Sequence, residues 1–80
     1  PPLNDAVKYG LVNAVEALLK VGANPMQKGY SQTSALDIIG ENKLERINGE
    51  YARTLFHSLE SEKQSRIKEL INQAIETINP

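Results

Sequence analysis

The chain contains no cysteine and no tryptophan, and only one phenylalanine, one methionine and one histidine among its 80 residues. Without cysteine there are no disulfides and no thiolate metal sites. The staples that commonly hold small domains together are therefore missing. A chain this short buries only about 60–65% of its unfolded surface, so its stability margin is thin. Strong charge of either sign is also lacking. The formal net charge is −1 and the sequence pI is about 5.8. Residues 1–40 carry three basic and three acidic residues, and residues 41–80 carry six basic and seven acidic. Nothing in that balance pulls the chain toward nucleic acid or an acidic membrane surface. Apolar runs are a few residues long, so no stretch reads as a membrane span or a signal peptide. No glycosylation sequon is present. With the absence of cysteine, this fits an intracellular, cytoplasmic setting.

What remains is ordinary for a globular protein: 40% hydrophobic and 24% charged residues. General disorder and collagen-like structure are excluded. The core must come from Leu, Ile, Val and Ala packed between helices. The chain opens on Pro1-Pro2 without an initiator Met. That reads as a piece cut from a longer protein or as N-terminal processing.

Helical periodicity runs through most of the sequence. Leu3, Ala6 and Val7 lie on one face of a short helix closed by Gly10. Val12, Val15, Leu18 and Leu19 share a face of a second helix over about 12–20, with Lys20 at its negative dipole end and Gly22 as a left-handed C-cap. Asn24-Pro25 holds the backbone extended. Residues 26–33 have no helical period and read as a loop or hairpin-like turn. Ser34 and Asp37 form a predicted capping box for a short helix that stops near Gly40. Leu44, Ile47, Tyr51, Leu55 and Leu59 predict an amphipathic helix of about 14–16 residues, interrupted or kinked at Gly49. Ser61 and Gln64 offer a second capping box. Ile67, Leu70, Ile71, Ala74, Ile75 and Ile78 form the cleanest stripe in the chain. It reads either as a core-covering helix or as a helix offered to a partner or a second copy. The predicted class is all-α.

The chain also carries an internal repeat. Leu3-x-x-Ala6 and Leu36-x-x-Ile39 stand 33 residues apart, and each opens a short helix. The first is followed by a glycine, a second helix with Val15-Glu16-Ala17-Leu18-Leu19, and then Gly22-Ala23-Asn24. A 33-residue unit of a turn and two helices, ending on this helix-plus-cap spacing, resembles the ankyrin repeat family. Pro1-Pro2-Leu3-Asn4 is a weak counterpart of the family's threonine-proline-leucine-histidine start. The second unit departs further. Ser34-Ala35-Leu36-Asp37 replaces the start, Lys43 stands where the helix-ending glycine belongs, Tyr51-Ala52 replaces the leucine pair, and no Gly-Ala-Asn follows.

The resemblance implies an ankyrin-like partial solenoid over residues 1–58, with a first unit at 1–27 and a degraded second unit at 28–58. Residues 59–80 are then a C-terminal capping helix. Such stacks usually need about three repeats, so either the extra helix supplies the missing core or further repeats lie upstream. The family binds proteins through its turn tips and the exposed face of each first helix. Carried over by position, the partner-binding residues are Asp5, Lys8 and Tyr9 on the first helix and Tyr30, Ser31 and Thr33 in the turn. Glu41 and Asn42 join them from the second unit. The expected function is noncovalent binding of another protein, with self-association through an exposed stack end. A structural accessory module of a larger enzyme or host-acting protein is the alternative implied by the family. A helical bundle in which the 33-residue spacing is coincidence is the alternative to the fold.

Enzymatic chemistry finds no footing in the sequence. His57 has neither the converging ligands of a metal site nor the nucleophile and orienting group of a triad. Asp37 and Ser58 can be named beside it, but no nucleophile motif supports them. The isolated glycines make no phosphate loop. Lys63, Arg66 and Lys68 are interleaved with Glu60, Glu62 and Glu69, which reads as a solvated face with a Glu62–Arg66 pair rather than a nucleic-acid patch. No cofactor and no metal are expected.

Overall fold

The computed structural model describes residues 2–29, 32–40 and 52–78, the first three of the last segment for their backbone alone. Among these residues the chain is all-α. The helices are α1 (Pro2–Lys8), α2 (Val12–Lys20), α3 (Ala35–Ile39), α4 (Ala52–His57) and α5 (Ser61–Ile78).

α1 and α2 end in the same way. After α1, the Leu11 N–H donates to the Ala6 carbonyl at 2.9 Å and the Gly10 N–H to the Val7 carbonyl at 3.3 Å. After α2, Ala23 donates to Leu18 at 3.0 Å and Gly22 to Leu19 at 3.1 Å. This paired pattern satisfies the last carbonyls of a helix and requires a left-handed residue just past its end. Gly10 and Gly22 supply it, with φ of +71° and +93°.

α3 starts on the expected capping box. Ser34 Oγ accepts from the Asp37 N–H at 3.1 Å, and Asp37 Oδ2 accepts from the Ser34 N–H at 3.0 Å. The turn before it is anchored to α3 as well. The Asn24 carbonyl accepts from Gln27, Asn24 Oδ1 accepts from the Met26 N–H, and the buried Pro25 accepts from the Leu36 N–H at 3.0 Å.

The expectation of one long helix reaching Leu59 is revised. Its first part, residues 44–51, lies outside the described residues. The described part ends at His57, where Ser58 and Leu59 tighten into three-residue hydrogen bonds to Leu55 and Phe56. Leu59 then turns its side chain onto Gly10. The second expected capping box is also absent. Ser61 lies inside α5, and Gln64 Nε2 donates to the carbonyls of Leu59 at 2.7 Å and His57 at 3.1 Å. Gln64 thus satisfies orphan carbonyls at the end of α4 instead of capping its own helix.

One core is shared by all five helices. Leu3, Ala6 and Val7 enter from α1, Val15 from α2, and Ala35, Ile38 and Ile39 from α3. Phe56 enters from α4, and Ile67, Leu70 and Ile71 from α5. α1 lies against α2, α3 and α4, while α5 lies against α2 and α3. α5 runs beside α2 in the same direction. Lys63 lies beside residues 10–14, Arg66 bonds Glu16, and residues 70–78 face 19–23. At 18 residues against 9, α5 is twice as long as α2. Its stripe therefore leaves the core toward the C-terminus: Ala74 and Ile75 are half-buried and Ile78 is exposed.

Candidate functional site

α1 is buried along Leu3, Asn4, Ala6 and Val7, which leaves Asp5 and Tyr9 on the opposite side. Lys8 lies between them. Its Nζ is 3.6 Å from Asp5 Oδ1 and 5.5 Å from the centre of the Tyr9 ring. The Lys8 side chain is only 19% exposed, whereas that of Asp5 is 70% exposed. The three residues thus form one small surface, with Lys8 as its support and the Asp5 carboxylate and Tyr9 ring as its accessible parts. Tyr9 is 55% exposed. A ring held by a cation below it offers large contact area at low entropy cost to a partner.

The turn before α3 is different from an exposed tip at its inner end. Thr33 is buried, and its carbonyl accepts from the Gly29 N–H at 3.0 Å and from Asn4 Nδ2 at 2.9 Å. It ties the turn to α1 and is not a surface contact. Asn4 is itself buried, and its Oδ1 has no hydrogen-bond partner. Tyr30, Ser31, Glu41 and Asn42 lie outside the described residues.

Lys28, which carried no sequence signal, organises the outer part of this turn. Its Nζ donates to the Gln32 carbonyl at 3.2 Å and to Asp37 Oδ2 at 3.3 Å. Burial works to raise the Asp37 pKa, but the Ser34 N–H, the Ser34 hydroxyl and the Lys28 ammonium together outweigh it. The carboxyl is held below the ordinary value of 3.8. A depressed folded-state pKa contributes stability that is fully present above the unfolded value and disappears as pH falls through the folded one. Denaturation measured across pH 2.5–6 is therefore expected to show an acid slope beginning near pH ~4 that shrinks in Asp37→Asn. Ser34→Ala is expected to remove about 1 kcal/mol at neutral pH. An unchanged acid slope in Asp37→Asn would rule out this role for the carboxylate.

A second surface feature was missed by sequence reasoning. A groove of about 490 Å³ runs between α2 and α5, floored by Leu19, Ala23, Leu70 and Ala74. At its rim Arg66 bonds Glu16 at 3.1 Å and Glu69 at 3.0 Å, and Glu16 also pairs with Lys20 at 3.5 Å. The expected Glu62–Arg66 pair is replaced by these contacts, because the neighbouring helix brings a better-placed carboxylate. Such exposed pairs stabilise by no more than about 1 kcal/mol each. Their arrangement along the α2–α5 seam depends on residues 50 apart in sequence, which no local pattern reveals.

His57 sits at the end of α4 with its ring edge-on to Phe56, centroids 5.1 Å apart, and Nε2 3.2 Å from the Gly40 carbonyl. It links α4 to the end of α3. Among the described residues, no group of three or more His, Asp or Glu side chains is placed to hold a metal ion, and no helix is long and apolar enough to cross a membrane. No family model, curated protein or solved structure matches the chain.

Proposed function

We propose that the chain is a protein-binding module built from ankyrin-like helix pairs, with the Asp5–Lys8–Tyr9 surface of its first helix as the described part of the contact. The observation that carries this reading is the relation of α1 to α3. Leu3 and Leu36 stand 33 residues apart, the helices they open lie side by side, and Asn4 of the first bonds the Thr33 carbonyl just before the second. Support also comes from α2 and α5, which lie side by side in the same direction, as the outer helices of successive pairs would. In this reading α5 takes the place of the second outer helix, and the segment holding α4 is an insertion ahead of it. In the same reading α5, which flanks both α2 and α3, closes the C-terminal end of the stack.

The module acts by binding and carries no catalysis. Rigid helices hold the contact side chains before a partner arrives, so little ordering entropy is lost on association. Tyr9→Ala is expected to weaken the partner complex at least about tenfold, as an aromatic anchor does. The thermal midpoint should stay within a degree or two, because the ring is more exposed than buried. The measurement is affinity capture with the parent chain and with Tyr9→Ala, followed by titration of the captured protein against both. A partner that binds both chains equally would exclude this surface.

A further inference from the structure

Asn4 lies on the buried side of α1, beside the apolar Leu3, Ala6 and Val7. It is only 9% exposed, yet its amide is half used. Nδ2 donates to the Thr33 carbonyl at 2.9 Å, while Oδ1 meets no donor among the described residues. Turning the amide over brings no relief, because Oδ1 would then face the Thr33 carbonyl, acceptor against acceptor. The Thr33 carbonyl depends on the bond less than Asn4 does. It also accepts from the Gly29 N–H at 3.0 Å and stays satisfied without Asn4. A buried acceptor left without a donor costs more than one neutral hydrogen bond returns. Asparagine is also a poorer helix former than alanine or leucine.

We infer that Asn4 is a positioning residue: its amide latches the turn before α3 onto α1, and lowers the stability of the fold in doing so. The two effects have separate origins. α1 and α3 are held together by core packing of Leu3, Ala6, Val7, Ala35 and Ile38. That attraction is non-directional and does not fix where the turn sits along α1. A hydrogen bond is directional, and the one at Thr33 sets the place of the turn. On its other side the turn is tied to α3, where Lys28 bonds Asp37 and the Pro25 carbonyl accepts from the Leu36 N–H. Released from Asn4, the turn keeps these bonds and its own Gly29–Thr33 and Gln32–Gly29 bonds. The latch therefore opens without orphaning a backbone group. A buried polar contact of this kind gives up stability for a single arrangement. The inference is independent of the Asp5–Lys8–Tyr9 surface, and no partner enters its test.

Thermal melting and amide hydrogen exchange together make the test. Asn4→Ala and Asn4→Leu bracket the volume of the amide, so neither a void nor crowding decides the result in both. At least one of them is expected to melt above the parent by about 4 °C or more. In that variant the amides of Val15 and Ile38 should exchange more slowly than in the parent, because they open with the core. The amides of Gly29 and Gln32 should exchange at least about threefold faster, because the turn has lost its hold on α1. Protection that moves in opposite directions is not what a plain core residue produces. A third reading needs no variant: magnetisation transfer from water to the Asn4 side-chain amide of the parent chain, which is expected to be absent. Two variants that both melt at or below the parent would overturn the proposal. So would turn amides that exchange no faster, or a bound water detected at the Asn4 amide.

Discussion

Phe56→Ala is expected to lower stability by about 3–5 kcal/mol, the range for deleting a buried aromatic side chain. An 80-residue domain has only about 4–12 kcal/mol to lose at 0.05–0.15 kcal/mol per residue, so this one substitution removes between about a quarter and all of the stability. The reason lies in the geometry of α4. It is six residues long, far below the length at which a helix holds itself in water. It is kept in place by packing on α1 and α3, and Phe56 is the large side chain it buries there, with 0% exposure. Removing the ring leaves a cavity where α1, α3 and α4 meet. It also frees the His57 ring that stacks edge-on against it and reaches the Gly40 carbonyl. Phe56→Leu retains most of the volume and should lose less than about 1.5 kcal/mol. Urea denaturation followed by circular dichroism separates the two. A loss below 1 kcal/mol in Phe56→Ala would mean that α4 does not pack as described.

The second large effect is expected at Gly10. Gly10→Ala should cost about 2–4 kcal/mol, while Gly22→Ala should cost about 1–2 kcal/mol. Both glycines close a helix with the same pair of hydrogen bonds, and both have positive φ, so both substitutions carry the backbone penalty of a left-handed L-residue. They differ in what surrounds them. A methyl group at Gly22 meets nothing within 4 Å, whereas at Gly10 it would come within 2.9 and 3.0 Å of the two Leu59 methyls. Leu59 must rotate away, and it is packed against the core at the junction of α4 and α5. The difference between the two variants in matched denaturation curves isolates that contact. Equal losses would show that Leu59 yields freely and that backbone strain is the whole effect.

The two glycines also mark where sequence reasoning stops. Their role as helix-ending residues was legible, because a helical stripe followed by glycine has few other meanings. That one of them lies under Leu59 was not, since the contact joins residues 49 apart. The candidate surface divides in the same way. Asp5 and Tyr9 fall on the outer side of α1 as their spacing predicts, yet Lys8 turned out to be largely covered, clasped between them. Thr33 was expected in an exposed turn. It is buried because the carbonyl groups of that turn need donors, and Asn4 on α1 supplies one.

Taken alone, the sequence determined what is local: the all-α class, the spans of α1 and α2, the Ser34–Asp37 cap, and the inward face of α5 at Ile67, Leu70 and Ile71. Each depends on interactions within a turn or two of helix, where 3.6-residue periodicity and capping chemistry act directly. The tertiary structure alone decided the rest. α4 stops at His57 because Leu59 is drawn onto Gly10, and Gln64 serves the end of α4 rather than the start of α5. Arg66 prefers Glu16 on α2 to Glu62 on its own helix. Leu59 and Arg66 each found a partner about fifty residues away that only packing brings within reach, although Arg66 keeps Glu69 on its own helix as well, and Gln64 serves the turn just ahead of α5.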